Sequence, residues 1–136
     1  MSRTFLLAII VATFTSPTHA QSSSTLVCQY VDAGGLVWDS GRWRASAFTL
    51  PQPFALAVMD GVLTPESVAR AFSSSFSFEC VTDHSRLLET CTGPIGPALF
   101  FNHMINQGVV ANIFQAGQMS SRQDSLIVSS FVCQRM

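Results

Sequence analysis

The chain reads as a mainly β protein: an antiparallel sheet or small barrel-like meander of about eight strands with one short α-helix, stapled by disulfides. Three observations carry this expectation. Short runs of alternating or aromatic character recur between turn residues. Only one segment, around residue 65, bears a helix start. Four cysteines follow a stretch that reads as an export signal.

That stretch is Met1 to Ala20. Arg3 supplies the positive start, Phe5 to Phe14 an apolar run, and Thr18-His19-Ala20 the small residues needed for cleavage. The run is shorter than the roughly 20 residues a bilayer demands. Cleavage after Ala20 would leave Gln21 to Thr25 as a flexible polar lead and residues 26–136 as one β-rich domain, periplasmic or secreted. No later segment reaches membrane-spanning length, so no membrane span is expected after cleavage.

In an oxidising compartment an even set of cysteines implies a disulfide framework. Cys28, Cys80, Cys91 and Cys133 allow three pairings. Cys80 with Cys91 and Cys28 with Cys133 is preferred, because the first closes a hairpin and the second ties the domain's ends. No close pair of metal-ligand spacing occurs, so neither a metal nor another cofactor is expected. A lipid anchor at Cys28 is disfavoured by the bulky Leu26-Val27 before it. The chain has no lysine and a net charge of −1. Without a basic field it has nothing to hold a phosphate backbone, which excludes nucleic acid as an expected partner.

Along the domain, Leu26 to Tyr30 should place Leu26, Cys28 and Tyr30 on one face, with Gly34-Gly35 turning the strand. Leu36 to Trp38 and Trp43 to Phe48 read as hairpin arms around Asp39-Ser40-Gly41-Arg42, with the tryptophans facing each other. Phe54 to Met59 is a strand and Asp60-Gly61 a turn. Thr64 is expected to cap a helix begun by Pro65 and Glu66, whose Val68 and Phe72 share a face. Phe76, Phe78 and Cys80 alternate on a buried side. The return strand Leu87 to Thr92 sets Cys80 opposite Cys91 and Thr82 opposite Glu89. A Gly93 to Pro97 loop follows, then strands at 98–105, 109–116 and 126–133, with a loop over 117–124.

Trp38, Arg42, Trp43 and Arg44 form the leading ligand-binding candidate. Indoles offer flat apolar faces, and guanidinium groups offer forked donors for a sugar or a carboxylate. A facing tryptophan pair also stabilises a hairpin without any ligand. His84 and His103 could act as a base with Asp83, Glu89 or Asp124, although His84 falls in a turn and His103 is expected to face out. No hydrolase elbow, phosphate loop or dinucleotide fingerprint is present, and no catalytic residue is assigned. Phe100 and Phe101 must point to opposite faces of their strand, so one covers core and the other a second packed face or a partner.

The general plan resembles that of small periplasmic inhibitor and ligand-binding modules, at the level of architecture. The expected function is therefore a small exported, non-catalytic binding or inhibitory protein whose partner is an envelope or extracellular protein or a glycan. The alternatives are a small secreted hydrolase using His84 or His103, and a structural envelope protein.

Overall fold

The computed structural model describes residues 21–94, 96–114 and 125–136. The export signal and the 117–124 loop lie outside the described residues. Among those described, nine antiparallel strands form one sheet, eight of them in a nearly closed barrel and the ninth paired off its path, with one short helix.

β1 (Ser23–Asp39) is the longest element and the axis of the sheet. One of its edges pairs along almost its whole length with β9 (Ser125–Arg135). The other edge is shared in sequence: β3 (Phe54–Met59) takes residues 23–28 and β2 (Arg42–Ala47) takes residues 34–39. From β9 the sheet continues through β8 (Gln107–Phe114), β7 (Ala98–Asn102) and β6 (Leu88–Thr92) to β5 (Glu79–Asp83). The two-residue β4 (Val62–Leu63) pairs with β3 and forms the other end of the path.

Gly34-Gly35 does not turn the chain. β1 runs through both, because at Gly35 the strand comes so close to β9 that a Cβ would lie 1.8 Å from the Leu126 carbonyl oxygen. Order also begins at Ser23 rather than Leu26, since Ser23, Ser24 and Thr25 pair with Met59, Val58 and Ala57. The polar lead of 21–25 is thus largely strand: backbone pairing does not require an apolar side chain.

Tight two-residue turns match the sequence. Ser40 and Gly41 have φ of 51° and 85°, and Asp60 and Gly61 have 51° and 83°. Left-handed pairs of this kind follow the natural twist of a hairpin. β7 stops at Asn102, short of the expected 105, because the Asn102 side-chain oxygen accepts from the Met104 amide at 2.9 Å and begins a turn there.

α1 (Pro65–Ala71) packs its Ser67 and Val68 inward. Thr64 makes no side-chain cap. Its carbonyl instead accepts from the Ser67 and Val68 amides, at 3.0 and 3.2 Å, while Ser67 Oγ donates to the same oxygen at 2.8 Å. Phe72 stacks on Phe78, with ring centroids 5.0 Å apart, which fastens the helix end to the approach to β5. Phe76, expected beside Phe78 on the buried side, is 46% exposed and precedes the strand. The alternation starts only once pairing does, at Glu79.

The barrel interior holds Leu26, Tyr30, Leu56, Leu99, Phe101 and Phe131, among others. Each fully buried ring or leucine stabilises by about 1.5–3 kcal/mol. Phe101 and Phe131 lie one on each side of Gly108 across the sheet, their rings stacked at 6.1 Å. Glycine is required there, since a Cβ would sit 2.3 Å from the Phe131 ring.

Both disulfides are present with the expected partners, Cys28–Cys133 and Cys80–Cys91. Each joins directly opposed residues of neighbouring strands, with Cα atoms 4.0 Å apart. The first ties β1 to β9 and the second ties β5 to β6. Among the described residues no helix is long and apolar enough to cross a membrane.

Candidate functional site

Two features stand apart from the core: a largely apolar outer face, and a buried acid beneath the seam where the barrel ends meet.

The face follows from one irregularity. Between Tyr30 and Asp32 the β1–β9 register shifts by a bulge, which exchanges the inward and outward parity of β1. Tyr30 and Ala33 both point inward, so Gly34, Leu36 and Trp38 point outward. The register then aligns Ala98, Ala111, Val128, Gly34 and Ala47 in one row across five strands. Leu126, Leu36 and Ala45 form the next row, and Trp38 opposite Trp43 ends the face. On this side of β2, β7, β8, β9 and the second half of β1, the only charged side chain among the described residues is Asp32, at the bulge.

Trp38 and Trp43 meet edge to face, with centroids 5.3 Å apart at 68°. Neither belongs to the core cluster, and both are half-buried. Arg42 and Arg44, expected beside them, alternate onto the opposite side of the hairpin. There Arg44 Nη1 donates to Asp39 Oδ2 at 2.8 Å. That guanidinium and the Ser40 hydroxyl hold the Asp39 carboxyl below the usual carboxylate range. The four-residue cluster therefore divides by strand parity into an apolar pair and a polar pair.

At the other end of the face the outer surface dips into a groove of about 360 Å³ between Val31, Leu88, Phe100, Ile105, Val109 and Val132. Asn102, Gln107 and Ser130 also line it. Phe100 is 47% exposed while Phe101 is fully buried. Of the two outcomes open for this pair, the ring turned outward stands on an uncovered face.

The buried acid is Glu89. Thr82 and Phe101, its partners across β5 and β7, share its inward side. Its carboxylate oxygens accept from the single Leu63 amide at 3.0 and 2.9 Å, joining β6 to β4 across the seam. His103, expected to face out, instead leans inward. Its side chain is 17% exposed, its ring packs edge-on against Phe101, and its Nε2 lies 2.7 Å from Glu89 Oε2. A carboxylate only accepts, so Nε2 carries the proton of that bond.

His84 is exposed in the β5–β6 turn. Asp83 is engaged there by the Ser85 hydroxyl and amide, which hold its carboxyl low. Asp124 lies outside the described residues. Of the described acids considered as partners for a histidine base, Asp83 and Glu89, it is Glu89 that is brought to His103. Among the described residues the His103 ring has no other hydrogen-bond partner.

Two features escaped the sequence reading. Burial of Glu89 was encoded by its position two residues before Cys91 on one strand, since a shared parity means a shared face. The outer face was encoded in Ala45, Ala47, Ala98 and Ala111, but small residues carry little periodic signal until the register aligns them.

Compared with known protein families, curated proteins and solved structures, the chain matches no family model, no protein and no structure.

Proposed function

We propose that the chain is an exported, non-catalytic binding or inhibitory protein that docks on an envelope or extracellular partner through the outer face headed by Trp38 and Trp43. The observation that carries this reading is the placement of the tryptophan pair. Two large indoles lie outside the core on a face whose one charge among the described residues is Asp32 at the bulge, where a hairpin in water gains less from them than an interface would. Tryptophan is enriched among residues that dominate binding energy, and charged residues are depleted at interface centres.

The same placement favours a protein over a glycan. Sugar recognition needs polar groups beside the stacking surface, and the arginines that could supply them project from the other side of the hairpin. Export to the periplasm or exterior is supported by the two disulfides, which persist where thiols are oxidised, and by the signal read at Met1 to Ala20.

Retention on immobilised protein tests the docking. Wild type should hold a component of envelope or extracellular extract that Trp43→Ala releases, with circular dichroism unchanged. An identical retained set for both proteins removes the site. Recovery of a chain beginning at Gln21 from the envelope or medium checks export, and an uncleaved cytosolic chain refutes it.

A further inference from the structure

The docking face uses none of the groups buried beneath the seam, and their arrangement has a chemistry of its own. Of the four cysteines, Cys80 alone is half-buried; its partner Cys91 and Cys28 of the other bridge are fully buried, and Cys133 is 7% exposed. The Cys80 sulfur, the Cys91 sulfur and a Glu89 carboxylate oxygen all lie within 4.8 Å of one another. Glu89 is held by His103 and Leu63. His103 is in turn 17% exposed, so the chain of groups runs from the interior sulfur to solvent.

We infer that Cys80–Cys91 is a redox-exchangeable disulfide that oxidises a dithiol, with Glu89 and His103 serving as the proton route for the buried sulfur. A thiolate of the dithiol attacks the accessible Cys80 sulfur. A mixed disulfide forms, the Cys80–Cys91 bond breaks, and the electron pair leaves on Cys91. An anion expelled into the interior has no water to solvate it and is costly there. A proton arriving from solvent by way of His103 and Glu89 neutralises it as it forms. The dithiol's second thiolate then attacks the sulfur of its own chain in the mixed disulfide and releases Cys80. The dithiol leaves as a disulfide, having lost two electrons and two protons, and both cysteines become thiols. Leaving-group stabilisation and access to the attacked sulfur are among the factors that set exchange rates. Cys28–Cys133 remains closed and keeps β1 joined to β9.

The second bridge is an internal control. It joins directly opposed strand residues with the same 4.0 Å Cα separation, so a difference in rate reports the surroundings of the sulfurs rather than the backbone frame. Glu89 and His103 are positioning residues for the proton, and the rate of Cys28–Cys133 in the same variants separates that role from a change in overall stability, which would alter both bridges.

The experiment is reduction of the intact protein by dithiothreitol across a range of pH, with acid quenching, alkylation and peptide mass mapping of each bridge. Cys80–Cys91 should open about tenfold or more faster than Cys28–Cys133, with the near-ultraviolet signal of the tryptophans retained. Glu89→Gln keeps an acceptor for the Leu63 amide but cannot relay a proton. It should slow that bridge by about tenfold, less than the roughly 10²–10⁴-fold typical of general acid–base catalysis, in a ratio to wild type that changes with pH, and leave Cys28–Cys133 unaltered. His103→Gln should slow it in the same pH-dependent way, and it decides the matter should Glu89→Gln fail to fold. Opening of both bridges together at the rate of global unfolding overturns the proposal. So does a Cys80–Cys91 rate unchanged by the substitutions at every pH.

Discussion

Replacing Glu89 by alanine should be among the most damaging single changes outside the aromatic core. The substitution deletes the acceptor of the Leu63 amide and the partner of His103 Nε2. It also leaves a cavity at a position 1% exposed. A buried amide stripped of its acceptor costs about 1–3 kcal/mol, and truncating a large fully buried side chain to alanine costs about 2–5 kcal/mol, so about 3–5 kcal/mol is expected for Glu89→Ala. Glu89→Gln retains a carbonyl for Leu63 but loses the charge assistance and turns an amide N–H toward His103 Nε2, so about 1–2 kcal/mol is expected. For a domain of this size, one kcal/mol moves Tm by about 4 °C. The alanine variant should therefore melt roughly 12–20 °C lower and the glutamine variant roughly 4–8 °C lower. Urea unfolding followed by circular dichroism gives the free energies, and amide hydrogen exchange at Leu63 reports the seam itself. If Glu89→Ala costs under about 1 kcal/mol, the range of ordinary surface changes, the carboxylate does not hold β4 to β6 and the reasoning fails.

Three further outcomes follow from the same geometry. Opening Cys28–Cys133 by a double alanine substitution should cost more than opening Cys80–Cys91: the sequence separations are 105 and 11, and loop entropy then gives about 5 against about 3 kcal/mol. Denaturant titration ranks the two, and equal or inverted costs would assign the difference to native strain. Burial beside Phe54 and Phe131 pushes the Tyr30 phenol above its usual value of 10.0. Its contribution is thus fully present below pH 10 and is lost as pH rises through the folded-state value. Tyrosinate absorbance should appear late in the folded protein, which has a single tyrosine, and Tyr30→Phe should lessen the alkaline loss of stability. Gly108→Ala forces a methyl to within 2.3 Å of the Phe131 ring and 2.5 Å of the Phe100 carbonyl. It should cost about 1–3 kcal/mol, and an unchanged Tm would mean that the rings move freely.

Strand identity was legible because it is local. Phe54 to Met59, the turns at Ser40-Gly41 and Asp60-Gly61, and the register placing Cys80 opposite Cys91 all depend on alternation and left-handed turn residues within a few positions. Gly34-Gly35 misled because glycine has two uses, reversing a chain and permitting close approach, and only the distant Leu126 carbonyl decides between them. At the Trp38 to Arg44 hairpin the pairing of the indoles was legible. The separation of Arg42 and Arg44 onto the other side follows from simple alternation, yet it becomes a statement about binding only once the register shows what each side faces. His103 was read as outward because its strand was extended past Asn102. The Asn102 turn reverses that, and Glu89, 14 residues away in sequence, draws the ring in.

The docking face and the seam divide the molecule's chemistry between outside and inside. Trp43→Ala should leave the reduction rate of Cys80–Cys91 unchanged, and Glu89→Gln should leave partner retention unchanged. The two proposals therefore stand or fall separately.

Val128 lies at the middle of the five-strand row and is 43% exposed, so an arginine there can reach water without disturbing the core. The most direct measurement of the docking claim is retention from envelope or extracellular extract by Val128→Arg beside wild type. The account predicts loss of the component that wild type holds, at a Tm within about 2 °C of wild type, as suits a surface change. Undiminished retention of that component by the arginine variant would contradict it.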